Sequence, residues 1–213
     1  MAVIERVSIA EQTYAYLRGE IAAGRLRQGE PLVEARLAKQ LGISRAPVRE
    51  AAQRLAQEGL LETLMGHSWR VAAMDDDDIR QLYLVRVQLE QLAAAQIIEG
   101  DPQGAARQLE KSLQAIRRAA KRGDLQAVVD AETAFHQELC RLSGNKYIHL
   151  LHEVVIAHVR LALARDNANY PELDQVAEEH QPLVRAIRAG DTRAAQRAIR
   201  HHILDSLKAL STG

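Results

Sequence analysis

The sequence predicts a mainly α chain in two parts, three short helices closed by a β-hairpin and then an antiparallel all-α helical bundle. Three observations predict it. Aromatic residues make up only 3% of the 213 positions while apolar types reach 47%. Packed cores must therefore be built from Leu, Ala, Val and Ile, a composition that favours helix over sheet. Strand-like runs are confined to Leu61 to Leu64 and Ser68 to Ala72. From Asp75 onward helical spacing is interrupted only by short punctuation, at Gly100-Asp101-Pro102, Gly123-Asp124, Ser143-Gly144-Asn145, Asn169-Tyr170-Pro171 and Ala189-Gly190-Asp191. That divides the remainder into six helical segments of roughly 18–25 residues joined by short loops.

The first helix is read from the run Tyr14 to Gly24, followed by Arg25-Leu26-Arg27-Gln28-Gly29. Leu37-Ala38-Lys39-Gln40-Leu41 has helical spacing and stops at Gly42, a good helix-ending residue. Ser44 can cap the next helix, and Pro47 is tolerated in its first turn. That helix runs to the Gly at position 59, and Met65-Gly66-His67 turns between the two strand-like runs. Arg45 and Arg49 are four apart, on one face near the helix N-terminus. From there a guanidinium reaches guanine edges or phosphate oxygens when the helix enters a major groove. Three helices and a hairpin in this order make a winged helix-turn-helix, with the hairpin as the wing. A solvated surface helix is the ordinary reading of two arginines so spaced, and the surrounding elements are what set this one apart.

The boundary falls at Ala72-Ala73-Met74 before the acid run Asp75 to Asp78, giving residues 1–73 and 74–213 as the two domains. Acidic residues are favoured at a helix N-terminus by the helix dipole. With 28 Lys and Arg against 28 Asp and Glu, the formal net charge is zero. DNA affinity must therefore come from local placement of arginines rather than from a basic field. The single Cys140 cannot form an intrachain disulfide and reads as a buried apolar residue in a reducing cytoplasm. No uninterrupted apolar run reaches transmembrane length and no signal-peptide core is present, so no membrane is expected.

Four residues of the second domain form a constellation. Glu132 and His136 are four apart and project from one helix face. His180 precedes the Gly190 turn by ten residues and His202 follows it by twelve. At the helical rise they stand about 15 and 18 Å from the turn, near one level of a helical hairpin. The apolar line Ala195, Ile199, His202, Ser206 turns His202 inward, whereas His201 falls with Asp205 towards solvent. A carboxylate and three imidazoles at one level can bind a divalent transition metal such as zinc, nickel, iron or manganese, with positions left for water or a ligand. Chance spacing among eight His is the bland alternative, and His149, His152 and His158 crowd another helix without an evident role. Arg86 lies on the stripe of Ile79, Leu82, Tyr83, Leu89 and Ala93, where a guanidinium needs an anionic partner. That partner is either an intramolecular carboxylate, such as Glu90 one turn on, or a bound carboxylate effector.

The N-terminal third resembles the DNA-binding domain of the GntR family of bacterial transcription regulators. The resemblance rests on Leu37-Ala38, Leu41-Gly42-Ile43-Ser44-Arg45, Pro47-Val48-Arg49-Glu50-Ala51 and Glu58-Gly59-Leu60, in order and in register. It implies DNA contacts by Arg36, Ser44, Arg45, Ala46 and Arg49, and by Gly66 and His67 at the wing tip. Ala46 stands where Thr is frequent in the family, and Ser68 where Gly is frequent. The second part resembles the FCD domain of one GntR subgroup, through Phe135-His136, Ser143-Gly144-Asn145, Glu179-His180, Ala186 to Asp191 and His202-Ile203. This implies metal binding at Glu132, His136, His180 and His202, with Glu132 where Asp is usual, and a carboxylate effector held beside the metal by Arg86. The function implied is a ligand-responsive repressor, a homodimer on an inverted-repeat double-stranded DNA operator, with no catalytic residues. The rivals are a metal-dependent enzyme, in which the open Glu/His site activates water, and a sensor whose effector is the metal itself.

Overall fold

A computed structural model describes residues 7–64, 68–165 and 172–211, with side chains to Lys208. Packing divides the chain into two units, Met1–Met74 with Arg160–Arg165, and Asp75–Val159 with Asp166–Gly213.

The first unit contains α1 (Ile9–Ala22), β1 (Pro31–Leu32), α2 (Glu34–Leu41), α3 (Arg45–Gln57), β2 (Leu61–Leu64) and β3 (Ser68–Val71). Ser8 caps α1, its hydroxyl accepting from the Glu11 N–H at 3.1 Å. The apolar faces of α1 and α3 close on each other through Leu17, Ile21, Val48, Ala51 and Leu55, all fully buried. β2 and β3 form the expected hairpin, with Leu61 opposite Val71 and Thr63 opposite Trp69. Added to it is a strand that the sequence reading does not contain, the two-residue β1, which pairs with β3 and makes the sheet order β1-β3-β2. Two residues containing a Pro carry no periodicity, so such a strand is legible only from its partner.

Gly42 ends α2 in the left-handed region, at φ 67° and ψ 30°. Ser44 takes the N-cap position of α3 with extended backbone, but its hydroxyl makes no capping hydrogen bond, contrary to expectation. Pro47 occupies the third helical position and has no N–H, so one of the two donors such a cap ordinarily takes is missing.

Six helices follow, α4 (Asp76–Glu99), α5 (Pro102–Lys121), α6 (Leu125–Leu142), α7 (Lys146–Arg165), α8 (Leu173–Ala189) and α9 (Thr192–Ser211), and they make up the second unit apart from Arg160–Arg165 of α7. The acid run does start a helix: Asp75 and Asp78 form a reciprocal capping box at α4. Asp101 and Asp124 cap α5 and α6 without reciprocation, their side chains accepting from the backbone N–H of Gly104 and Ala127. α4 packs on α6 and α9, α5 on α6 and α8, and α8 on α9. Leu109, Leu113, Ile116, Phe135, Leu139, Val184 and Ile187 fill the interior, and Cys140 is buried and free.

Among the described residues, α7 is the one helix long and apolar enough, by length and composition, to cross a membrane. A search for uninterrupted apolar runs passes over it because His149, His152, Glu153 and Arg160 break the sequence. Its Ile148, Val155 and Ile156 are buried while Leu150, Leu151 and Val154 are exposed, the two-faced pattern of a helix with a protein core on one side.

A Cβ placed on Gly42 would meet nothing within 4 Å. Gly42→Ala therefore tests backbone conformation alone and should destabilise the first unit by about 1–2 kcal/mol. Trp69 is the sole Trp of the chain, so chemical denaturation followed by its fluorescence reads that unit; an unmoved midpoint would contradict the left-handed turn.

Candidate metal centre and DNA-facing helix

α6 carries Glu132 and His136, α8 carries His180 and α9 carries His202. The i, i+4 pair lies on one face of α6, and the Gly190 turn, at φ 70°, folds α9 back along α8 so that His180 meets His202. One ligand atom from each of the four side chains lies within 4.8 Å of the others. Imidazole centroids are 4.1 Å apart for His180 and His202, 5.0 Å for His136 and His180, and 5.3 Å for His136 and His202. The three rings are buried, and Phe135 stands edge-on to His136 and His180 as an apolar wall. His201 is 82% exposed and pairs with Asp205, the outward placement that the apolar line of this helix predicts.

Each ring is set by what faces its Nδ1. His136 Nδ1 lies 2.7 Å from Glu90 Oε2, and His180 Nδ1 lies 2.7 Å from the carbonyl oxygen of Val176. Both partners are acceptors only, so each Nδ1 carries the proton and donates it. His202 Nδ1 is 3.5 Å from Glu179, and its Nε2 is 3.7 Å from Glu132 Oε1. Burial, only partly offset by Glu90, pushes His136 down to about 4. Burial together with the neighbouring His202 and His136 holds His180 well below the usual imidazole range. Both rings are thus neutral near pH 7. Burial opposes ionisation of Glu132, yet the His202, His180 and His136 rings hold it well below the usual carboxylate range. Burial also lowers His202, but Glu132 and Glu179 outweigh it and leave its affinity for a proton raised.

This geometry tests whether the residues fit a metal. With both Nδ1 positions protonated, the Nε2 atoms of His136 and His180 present lone pairs to each other at 3.1 Å. Two buried acceptors so placed repel unless a cation lies between or beside them. Both nitrogens of His202 are buried without a hydrogen-bond partner. Three imidazoles and one carboxylate are donors suited to zinc, nickel, iron or manganese. A buried Glu/His cluster capable of coordinating a metal ion is therefore present.

Spacing pairs Glu90 with Arg86 but does not place it behind His136. It is fully buried on α4 and accepts from Arg86 Nε at 2.8 Å, with His152 Nε2 at 3.3 Å. Arg86 is itself buried, so the guanidinium on the apolar stripe has an intramolecular carboxylate as partner. His152, without an evident role in the sequence, is the buried third group on Glu90. The signal available beforehand was the four-residue interval from Arg86 to Glu90, which identifies a pair but not the imidazoles beyond it.

In the first unit Arg36, Ser44, Arg45, Ala46 and Arg49 are all exposed, the last four on the first two turns of α3 or its cap. Gly66 and His67 lie outside the described residues. Arg49 is not a solitary charge. It donates through Nε and Nη2 to Glu34, at 3.2 and 3.0 Å, and Glu34 also accepts from the Trp69 indole N–H at 3.0 Å. Glu34 thereby ties the recognition-helix guanidinium to α2 and to the wing strand β3, and this network was not legible from spacing.

Comparisons with known proteins agree with this architecture. The family model described as bacterial regulatory proteins, gntR family, matches residues 9–71, and that of the FCD domain matches residues 81–205. The chain is 33% identical over 206 residues to the "Probable D-xylose utilization operon transcriptional repressor" of Paenarthrobacter nicotinovorans, covering 97% of this chain and 90% of the relative. It is 26% identical over 180 residues to the gluconate operon transcriptional repressor of Bacillus subtilis, covering 82% and 74%. Among solved structures, Escherichia coli McbR/YncC superposes with a TM-score of 0.85 at 22% identity, covering 97% of this chain and 99% of that one. A GntR transcriptional regulator from Rhodococcus sp. RHA1 superposes with a TM-score of 0.79 at 26% identity, covering 96% and 98%.

Proposed function

The chain belongs to the GntR family of bacterial regulatory proteins, with an FCD domain as its second part, and we propose that it is a metal-containing repressor that responds to a small organic acid. A ligand-responsive transcriptional regulator is the function of the family, and the named relatives are transcriptional regulators rather than enzymes. In this reading residues 1–73 bind the operator and residues 74–213 hold metal and effector, in the cytoplasm. Arg36, Ser44, Arg45, Ala46 and Arg49 contact DNA with Gly66 and His67 of the wing. Arg45 at the helix start supplies the fork that reads base edges, and Arg49, steadied by Glu34, is positioned for a phosphate or a base.

The observation that carries the metal reading is the pair of facing imidazole nitrogens at 3.1 Å. Glu132, His136, His180 and His202 would hold the ion, and a bound cation would supply a Lewis-acid position for an anionic effector. Arg86 is the effector clamp in this scheme. Its Nε serves Glu90, and a guanidinium has four further N–H donors for a carboxylate. The gluconate operon repressor among the relatives supports a sugar acid as the chemical class, since gluconate is itself a carboxylate.

Dimeric regulation is a family property, and a second copy best explains the exposed apolar side chains of Leu84, Val85 and Leu92 on α4 and of Leu150, Leu151 and Val154 on α7. Single exposed apolar residues are ordinary, but six on two helices that meet through Glu90 and His152 support an interface with a second copy there. Two-fold symmetry then matches an inverted-repeat operator.

Three outcomes follow. Arg45→Ala should weaken operator binding by roughly 5- to 150-fold with the fold intact, read by fluorescence anisotropy, and Arg49→Ala, which also leaves the buried Glu34 without its guanidinium, should weaken it at least as much; wild-type affinity in both would remove α3 as the recognition helix. Metal analysis of protein reconstituted with zinc, nickel, iron or manganese should give one ion per chain, and the His180→Ala/His202→Ala double variant should retain none; full loading of that variant would reject the site. Leu151→Glu should convert the dimer to a monomer in sedimentation velocity, whereas an unchanged dimer would place the interface elsewhere.

A further inference from the structure

Glu90 sits beneath His136 on the side away from the candidate ligands, and nothing in the four-residue cluster requires it. Its two oxygens are fully committed. Oε2 faces His136 Nδ1 at 2.7 Å, while Oε1 faces Arg86 Nε at 2.8 Å and His152 Nε2 at 3.3 Å. Arg86, Glu90, His136 and His152 are all buried. A buried ion pair is a weak device for stability, because desolvation offsets much of its attraction. Such a pair is better explained by what it orients.

From this geometry we infer that Glu90 is a positioning residue: it fixes His136 as the Nδ1–H tautomer and so turns the Nε2 lone pair towards Glu132, His180 and His202, with Arg86 as its counter-ion. The alternative tautomer would bring an Nδ1 lone pair against a carboxylate oxygen at 2.7 Å, two acceptors with no proton between them. His180 is fixed differently, by the Val176 carbonyl one turn back on its own helix. A side chain on α4 thus does for His136 what backbone does for His180. α4 also carries Arg86 and the exposed Leu84, Val85 and Leu92, so the metal-ligand geometry depends on a helix that contributes no ligand. Metal-bound imidazoles ordinarily have such an acceptor on their other nitrogen, and its loss typically lowers metal affinity about 10–100-fold.

The inference rests on the proposed metal reading, and the test separates the two. Glu90→Gln replaces the obligate acceptor with an amide that can donate to Nδ1. Because it strands Arg86, the Arg86→Met/Glu90→Gln double variant, which removes both charges, is measured beside it. In metal-free full-length protein, ¹⁵N NMR of the imidazole nitrogens should report Nδ1–H at His136 in wild type. Both variants should show loss or mixing of that tautomer at His136 with His180 unchanged. Cobalt(II) titrated into the same samples should bind roughly 10–100-fold more weakly to the variants, with an altered visible spectrum. Wild-type cobalt affinity and an unchanged His136 tautomer in the variants would overturn the role of Glu90 while leaving the metal centre standing. Failure of wild type to take up cobalt or any other divalent ion would overturn the metal reading and this inference with it.

Discussion

Two imidazole nitrogens meet at 3.1 Å in the interior of the helical unit, and each has already given its proton away from the other. Much of the second unit can be understood from that contact. It requires α6 to present His136, α8 to present His180, and the Gly190 turn to return α9 at a height where His202 closes the set. It requires Glu132 one turn before His136 as the anionic member. It also requires burial, since in water the same nitrogens would be solvated and the pair would cost nothing. A chain that brings three rings and a carboxylate together without a proton for every acceptor has arranged donors for a cation.

The first unit is organised by a different buried carboxylate. Glu34 joins the Arg49 guanidinium, the Trp69 indole and its own helix α2. A helix-turn-helix reads DNA only if the second helix is held at a fixed angle to the wing and to the first helix, and Glu34 connects all three parts. Both units thus contain a carboxylate taken out of water and paired with an arginine, Glu34 with Arg49 and Glu90 with Arg86. The penalty for burying such groups is large, and it is met by saturating their hydrogen bonds.

Most of the architecture was legible because the signals were local. Gly42, Ser44 and Pro47 bracket a turn and a helix start, the Asp75 run marks α4, and Gly-containing loops separate the later helices. Glu132 and His136 could be paired by interval, and His180 and His202 by their similar distances from Gly190. What could not be read depended on partners distant in sequence. β1 is two residues long and exists through β3. Glu90 contacts His136 and His152, 46 and 62 residues away. Glu34 reaches Trp69 35 residues on. The Ser44 cap failed for a local reason that could have been seen, because Pro47 removes one of the donors its hydroxyl would use. Arg86 on an apolar stripe demands an anion, and Glu90 one turn on supplies it.

One metal centre formed by Glu132, His136, His180 and His202 is the proposal on which the rest turns. X-ray absorption at the metal edge of the zinc-loaded full-length protein addresses it most directly, because it reports the ligand atoms without reference to any activity. The account predicts a first shell of nitrogen and oxygen only, with the outer-shell scattering of three imidazoles and no sulfur. A shell containing sulfur, or one of oxygen atoms with fewer than two imidazoles, would contradict it.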